Sequence, residues 1–187
     1  MIAITGATGQ LGALAVEALL KTVPAKEIVA IVRNPAKAEA LTQKGVVVRQ
    51  GDYNDEAALT AALAGVDKLL LVSSSEVGQR AVQHRNVINA AKAAGVKFIA
   101  YTSLLHADKS PLGLHLEHVD TEKMLAESGI PFALLRNGWY SENYLASAPA
   151  ALAHGVFIGA AGEGKIASAT RADYAAAAAR VISEDGH

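Results

Sequence analysis

Ile4-Thr5-Gly6-Ala7-Thr8-Gly9-Gln10-Leu11-Gly12 is the stretch on which the fold turns. It follows a short apolar run that begins at Ile2. It leads into 10–21, where Leu11, Ala15, Ala18 and Leu19 share one helical stripe. Strand, glycine-rich turn and helix in that order open a dinucleotide-binding βαβ unit. Gly6 allows the tight turn, Gly9 lets a pyrophosphate approach the backbone, and Gly12 lets helix and strand pack closely. Ala7, Thr8, Gln10 and Leu11 complete the loop, whose free N–H groups and positive helix end suit an anion. A glycine-rich turn with no ligand is the alternative, and the strand, loop, helix and next strand falling into place weigh against it.

Outward from this unit, short apolar runs alternate with longer amphipathic segments, the pattern of βαβ units and a parallel sheet. Strands are expected over 2–5, 27–32, 46–50, 68–72, 98–102 and 132–136. The runs 28–32 and 69–72 are continuously apolar, which implies burial on both faces. Helices are expected over 10–21, 55–63, 77–94 and 115–128, with Asp55 as an acidic N-cap and Gly95 and Gly129 as stops. After Tyr144 the rhythm changes: 153–164 is small and Gly-rich, and a further strand is expected over 165–169. Thr170 and Asp173 then approximate a capping box at the start of a last helix. The fold class is α/β, a Rossmann-type doubly wound parallel sheet with helices on both faces. One NAD(P)-binding domain is expected over 1–187, its 145–187 portion being the beginning of a substrate lobe or return segment.

Composition narrows the function classes. The 187 residues are 51% hydrophobic and 19% charged, with a net charge of −1 and no run of Lys or Arg. No nucleic-acid partner and no membrane surface are expected from that balance. The absence of cysteine excludes disulfides, thiolate metal sites, iron–sulfur ligation and thiol nucleophiles. No basic n-region precedes Ile2 and no apolar run approaches a membrane span, so a cytoplasmic location is expected.

Ligands of open α/β sheets bind at the carboxyl ends of the strands. At the end of the second strand an NAD-preferring site carries Asp or Glu to accept from the ribose 2′-hydroxyl. Here the residues are Val32-Arg33-Asn34. Arg33 suits a 2′-phosphate, which points to NADPH, although a solvated surface arginine is the plainer reading. Asp52, after the third strand, either accepts from the adenine amino group or caps a turn. Ser73, Ser74 and Ser75 follow the fourth strand along the central phosphates and riboses. Thr102 and Ser103 end the fifth strand, and Arg136-Asn137-Gly138 the sixth.

The glycine loop with Val32-Arg33-Asn34 resembles that of the atypical short-chain dehydrogenases of the NmrA-like group. Gly51-Asp52, the stretch His118 to Lys123, and Leu135-Arg136-Asn137-Gly138-Trp139-Tyr140-Ser141-Glu142-Asn143-Tyr144 strengthen the likeness, which covers nearly the whole chain. It implies NADPH-dependent reduction of small quinones, with a C-terminal lobe over the nicotinamide. That lobe is expected to be largely absent from this chain. It also implies cofactor contacts from Lys123, Asn137, Gly138, Trp139, Tyr140 and Asn143. Asn137, Tyr140 and Asn143 are the expected polar contacts near the nicotinamide and the quinone carbonyl, with Trp139 and Tyr140 as flat walls for a ring. The alternative is that these aromatics only fill space between sheet and lobe.

One departure bears on the chemistry. Ordinary short-chain dehydrogenases use Tyr followed four residues later by Lys. The residues four beyond Tyr53, Tyr101, Tyr140, Tyr144 and Tyr174 are Ala57, Leu105, Tyr144, Ala148 and Ala178. Val119 stands where a Tyr would precede Lys123. Alcohol chemistry is therefore disfavoured, whereas a quinone is a strong hydride acceptor whose product can take its proton from water. His115, His118 and Glu122 share a helix face at metal-ligand spacing, but no further ligand is evident and no metal is expected. Two functions follow: a quinone reductase, or an NADP(H)-binding redox-sensing regulator without turnover. A reductase or isomerase of another planar carbonyl or flavin is a third. Monomer and homodimer are both compatible with the sequence.

Overall fold

The computed structural model describes residues 1–185, so the end of the expected 183–187 tail lies outside the described residues. Six parallel strands form the main sheet in the order β3-β2-β1-β4-β5-β6. They are β1 (Ile2–Thr5), β2 (Ile28–Val32), β3 (Val47–Gln50), β4 (Lys68–Leu71), β5 (Phe98–Leu104) and β6 (Phe132–Asn137). The order reverses between β1 and β4, which creates a crevice at their carboxyl ends.

Both sheet faces are covered, as the continuous apolar runs require. Ala3, Val29, Ile31, Leu69, Leu71, Ile99 and Tyr101 pack against α3 (Glu56–Ala62), α4 (Arg80–Ala93) and α5 (His115–Ser128). The alternate residues Ile4, Ile28, Ala30, Val32, Leu70 and Ala100 pack against α1 (Gln10–Leu19) and α8 (Arg171–Ser183). Each fully buried Leu, Ile or Val contributes about 1.5–3 kcal/mol relative to exposure. The abundant alanine serves this second layer: Ala175, Ala178 and Ala179 of α8 lie in one cluster with Ala15 and Val16 of α1.

The expected and observed elements differ at their ends for local reasons. The helix expected from 77 begins at Arg80, because Gly78 adopts the left-handed backbone (φ +86°) that a helix cannot continue. The strand expected over 165–169 is reduced to β8 (Ser168–Ala169), which pairs with β7 (Trp139–Tyr140) in a small second sheet. Short helices α2 (Glu39–Gln43), α6 (Ser141–Leu145) and α7 (Ala148–His154) fall where no helix was expected. Each is too short for its periodicity to stand out. The capping box before α8 is complete: Asp173 N–H donates to Thr170 Oγ1 (3.1 Å) and Thr170 N–H to Asp173 Oδ2 (3.2 Å). Substituting Asp for the usual Glu leaves that reciprocal geometry intact.

Candidate functional site

A cleft of about 970 Å³ opens at the carboxyl ends of β1, β2, β4, β5 and β6. Its floor is the glycine loop. Gly6 sits at φ +59°, accessible to glycine at little cost. A Cβ on Gly12 would stand 2.2 Å from the Gly6 carbonyl oxygen, so this glycine is demanded by the loop's own backbone more than by the strand. Gly9 is the N-cap of α1, with no side-chain cap and no acidic residue in the first turn. The first-turn N–H groups and the positive helix end therefore face the cleft without internal competition from an acid.

Gly6, Thr8, Gly9, Gln10, Leu11 and Gly12 line this floor. Ala7 does not: it is fully buried, its N–H directed to the Ile31 carbonyl at 3.4 Å. At the β2 end Arg33 and Asn34 border the cleft together with Lys37, which sequence reasoning missed. Asn34 Oδ1 accepts from Ala36 N–H (3.0 Å) and caps the turn that carries Lys37. Arg33 donates across the mouth to Glu76 (3.2 Å), and both side chains are exposed. Asp52 lines the cleft and also caps a turn, accepting from Asn54 N–H at 2.8 Å.

The serine run after β4 divides by role. Ser73, Ser74 and Ser75 all border the cleft. Ser74 is held by the protein: its N–H donates to His84 Nε2 (2.9 Å), its carbonyl accepts from Arg80 Nε (2.6 Å), and its hydroxyl bonds Gln83. Thr102 lies behind the wall, buried, with its hydroxyl oxygen accepting from Ser73 N–H at 2.8 Å. Tyr53, also missed, has its hydroxyl 2.6 Å from both Thr5 Oγ1 and the Val72 carbonyl. It ties the ends of β1 and β4 together under the crevice. Arg80 completes this wall through a buried pair with Glu117 on α5 (2.8 Å).

At the far end, Ser103, Asn137, Gly138, Trp139, Tyr140 and Asn143 converge as expected. Tyr140 OH lies 3.5 Å from Asn137 Nδ2. Gly138 N–H donates to Tyr174 OH (2.9 Å), and a side chain at 138 would meet that oxygen. Arg171 was not foreseen. Its guanidinium stacks 4.5 Å from the Tyr140 ring centre and donates to Asn143 Oδ1 at 2.9 Å. Replacing Arg171 with Ala is expected to weaken binding of a flat aromatic ligand at this end of the cleft about tenfold by loosening Tyr140 and Asn143. Dinucleotide affinity, read by fluorescence titration, should change far less.

Lys123 is placed elsewhere. It is exposed beside Asp120 (3.9 Å) and does not border the cleft. Helical geometry explains this: about 100° per residue carries position 123 well around α5 from the inward-facing His118. The three residues at metal-ligand spacing are also separated by their partners. His115 Nδ1 meets the Ala107 carbonyl (2.9 Å), His118 Nδ1 meets Tyr101 OH (2.6 Å), and Glu122 takes Ser103 Oγ (2.5 Å) and Arg136 (2.7 Å). Among the described residues no group of three or more His, Asp or Glu side chains is arranged to hold a metal.

Burial, with the nearby Arg80 charge, lowers the His84 pKa to about 3 and that of His118 to about 4, against Glu122's opposing pull on the latter. Both folded values lie below the roughly 6.5 of an unfolded histidine. Between about pH 6.5 and 4 the unfolded chain therefore binds more protons, and stability falls as pH falls. Above that window both rings are neutral in both states and contribute no slope. Melting temperature is expected to be flat above about pH 7 and to drop from about pH 6 to 5. A His84→Asn variant should show a shallower drop; an unchanged wild-type curve down to pH 5 would refute the assignment.

The chain is similar to known proteins along its whole length. Residues 6–185 match a family model described as NAD(P)H-binding. The chain is 82% identical over 187 residues to quinone oxidoreductase 2 of Escherichia coli (strain K12), covering all of this chain and 65% of that protein. A crystal structure of an NADPH-dependent quinone oxidoreductase from Escherichia coli complexed with NADPH superposes with a TM-score of 0.98 at 82% identity, over 100% of this chain and 66% of that one. A triphenylmethane reductase from Citrobacter sp., complexed with NADP(H), superposes with a TM-score of 0.97 at 45% identity, over 100% and 67%. The chain thus spans about two thirds of the length of these relatives.

Proposed function

The chain belongs to the NAD(P)H-binding family, whose NmrA-like members it resembles, and we propose that it is an NADPH-dependent reductase of small quinones. The observation that carries this reading is one continuous cleft with an anion-binding floor at Gly6 to Gly12, a basic rim at Arg33 and Lys37, and an aromatic end at Trp139 and Tyr140. The first fits a pyrophosphate, the second a 2′-phosphate, and the third a flat ring. Gly12 keeps the cradle in shape, since any side chain there would collide with the Gly6 carbonyl and displace the loop.

Bound NADPH would supply a hydride at the aromatic end. The protein's own contribution is positional. Trp139 is half-exposed at the cleft and gives a flat apolar surface, while Tyr140 is steadied edge-on by Tyr174 at 5.6 Å and by Arg171 above. Asn137, Tyr140 and Asn143 are the polar groups that would orient a quinone carbonyl. Holding donor and acceptor face to face supplies much of the acceleration for an acceptor as reactive as a quinone. A cytoplasmic location accords with the absence of cysteine. Among the described residues no helix is long and apolar enough to cross a membrane.

Steady-state oxidation of NADPH by the full-length protein in the presence of benzoquinone-type acceptors tests the reading. Turnover that depends on the quinone is expected. Tight NADPH binding with no turnover on any quinone would reject it in favour of a non-catalytic NADP(H) sensor.

A further inference from the structure

The inward-facing pair on α5 is His118 and Glu122, one residue out of step with Val119 and Lys123. His118 is 5% exposed and borders the cleft, while the Glu122 side chain is 11% exposed. Glu122 is fully occupied: Arg136 donates to both of its oxygens and Ser103 Oγ donates to Oε1. Ser103 therefore gives its proton to Glu122 and has none to offer a ligand. His118 differs, because only one of its ring nitrogens has a partner. Nδ1 meets Tyr101 OH at 2.6 Å, and Nε2 makes no hydrogen bond to any described residue. Since no buried side-chain nitrogen among the described residues lacks a partner, Nε2 reaches the open space of the cleft that His118 lines.

The surrounding bonds set where the imidazole proton sits. Ser74 N–H can only donate, so His84 accepts at Nε2 and carries its proton on Nδ1. That proton goes to Thr121 Oγ1 (2.9 Å), whose own proton goes to the Glu117 carbonyl (2.8 Å). Thr121, which also lies against the Tyr101 phenol, therefore has no proton to give it. The phenol stays protonated, its ionisation suppressed by burial, and its hydroxyl lies 2.6 Å from His118 Nδ1. With the phenol as donor along that contact, His118 carries its proton on Nε2. In that arrangement Tyr101 of β5 selects the tautomer that presents a donor to the cleft.

We propose that His118 Nε2–H donates a hydrogen bond to the substrate oxygen that becomes anionic when hydride is added, a role that rests on the quinone-reductase reading above. The step balances without a proton from the histidine. The reduced nicotinamide loses a hydride and is oxidised; the quinone gains that hydride and becomes a hydroquinone monoanion. Its oxyanion is stabilised by His118 and takes a proton from water. His118 keeps its own proton throughout, held by Tyr101 in the donating tautomer. Tyr101 is a positioning residue, since it acts through the ring and does not touch substrate.

Two measurements test this on the full-length protein. Long-range proton–nitrogen correlation spectra of histidine-labelled protein should show His118 neutral with its proton on Nε2, and His84 neutral with its proton on Nδ1. Tyr101→Phe should erase the preference at His118 alone. A His118 proton on Nδ1 in the wild type overturns the proposal, whatever the activity. In kinetics, His118→Phe is expected to lower kcat by about 10²-fold, the loss typical of one removed oxyanion donor. His118→Gln, which keeps a side-chain N–H, should recover part of it, and NADP binding should stay unchanged in both. The loss should grow across a series of quinones as the hydroquinone anion becomes more basic. An equal kcat for wild type and His118→Phe across the series rejects the role. If the wild type reduces no quinone, the functional reading fails, while the tautomer still decides whether His118 presents a donor.

Discussion

Arg33→Asp is expected to raise the dissociation constant for NADPH by about 100-fold while changing that for NADH by no more than about threefold, on the scale of one lost charge-assisted bond. Arg33 stands at the end of β2, on the rim of the cleft beside Asn34 and Lys37. Its guanidinium is 71% exposed and paired to Glu76 across the mouth, so a phosphate entering there competes only with a solvent-screened partner. Asp in its place removes the forked donor and sets a second carboxylate opposite Glu76. Both changes penalise a doubly charged phosphate far more than a ribose hydroxyl. Isothermal titration with the two cofactors reads the difference directly, and the gap should narrow as salt is added. Equal losses for both cofactors would show that Arg33 does not read the phosphate. Lys37 keeps some positive charge at the rim, so a residual preference for NADPH is expected in the variant.

The second large effect is at Gly12. A Cβ there would lie 2.2 Å from the Gly6 carbonyl oxygen and 2.8 Å from its carbon, both backbone atoms that cannot swing aside. Gly12→Val must displace the loop or the first turn of α1, and either movement destroys the alignment of N–H groups that would hold the pyrophosphate. NADPH binding is expected to fall by more than about 100-fold. The melting temperature should also drop, since overpacking of this kind costs about 1–3 kcal/mol. Gly65→Ala offers a contrast: nothing lies within 4 Å of its Cβ position, yet φ is +73°. That variant should lose a little stability and no cofactor affinity. A Gly12→Val protein that binds NADPH normally would mean the loop is more pliable than its packing implies.

Most of the fold was legible from residue patterns. The continuous apolar run at 28–32 announced a strand buried on both faces, and β2 is buried throughout. The glycine spacing before α1 was equally readable, because a left-handed turn and a close backbone approach admit almost no other residue. The short helices α6 and α7 were not foreseen. They are five and seven residues long, too short for a periodic signal to stand out, and their form depends on neighbours such as Glu142 accepting from Arg171 N–H at 2.9 Å.

The candidate site was legible in part. Its strand-end residues could be placed by position, since every parallel strand of this sheet delivers its carboxyl end to the same edge. Lys123 could not. Only the family resemblance suggested a cofactor contact there, and the register of α5 turns His118 and Glu122 inward and leaves Lys123 in solvent. Arg171, Tyr53 and Arg80 were invisible for a related reason. Each matters through a partner far along the chain, as in the Arg80–Glu117 pair, 37 residues apart. One signal could have found Arg171: a lone arginine beginning the helix that returns beneath the aromatic cluster.

The sequence by itself determined the parallel sheet and the glycine cradle, because periodicity and backbone freedom are properties of neighbouring residues. Only the tertiary structure decided how the cradle is furnished. It brought Glu76 opposite Arg33, set Arg171 over Tyr140, and turned His118 toward Tyr101. These are choices among polar groups that water would satisfy equally well in the unfolded chain. Around His118 and Tyr101 burial removes the water, and each group must then find its partner on whichever element the fold places beside it.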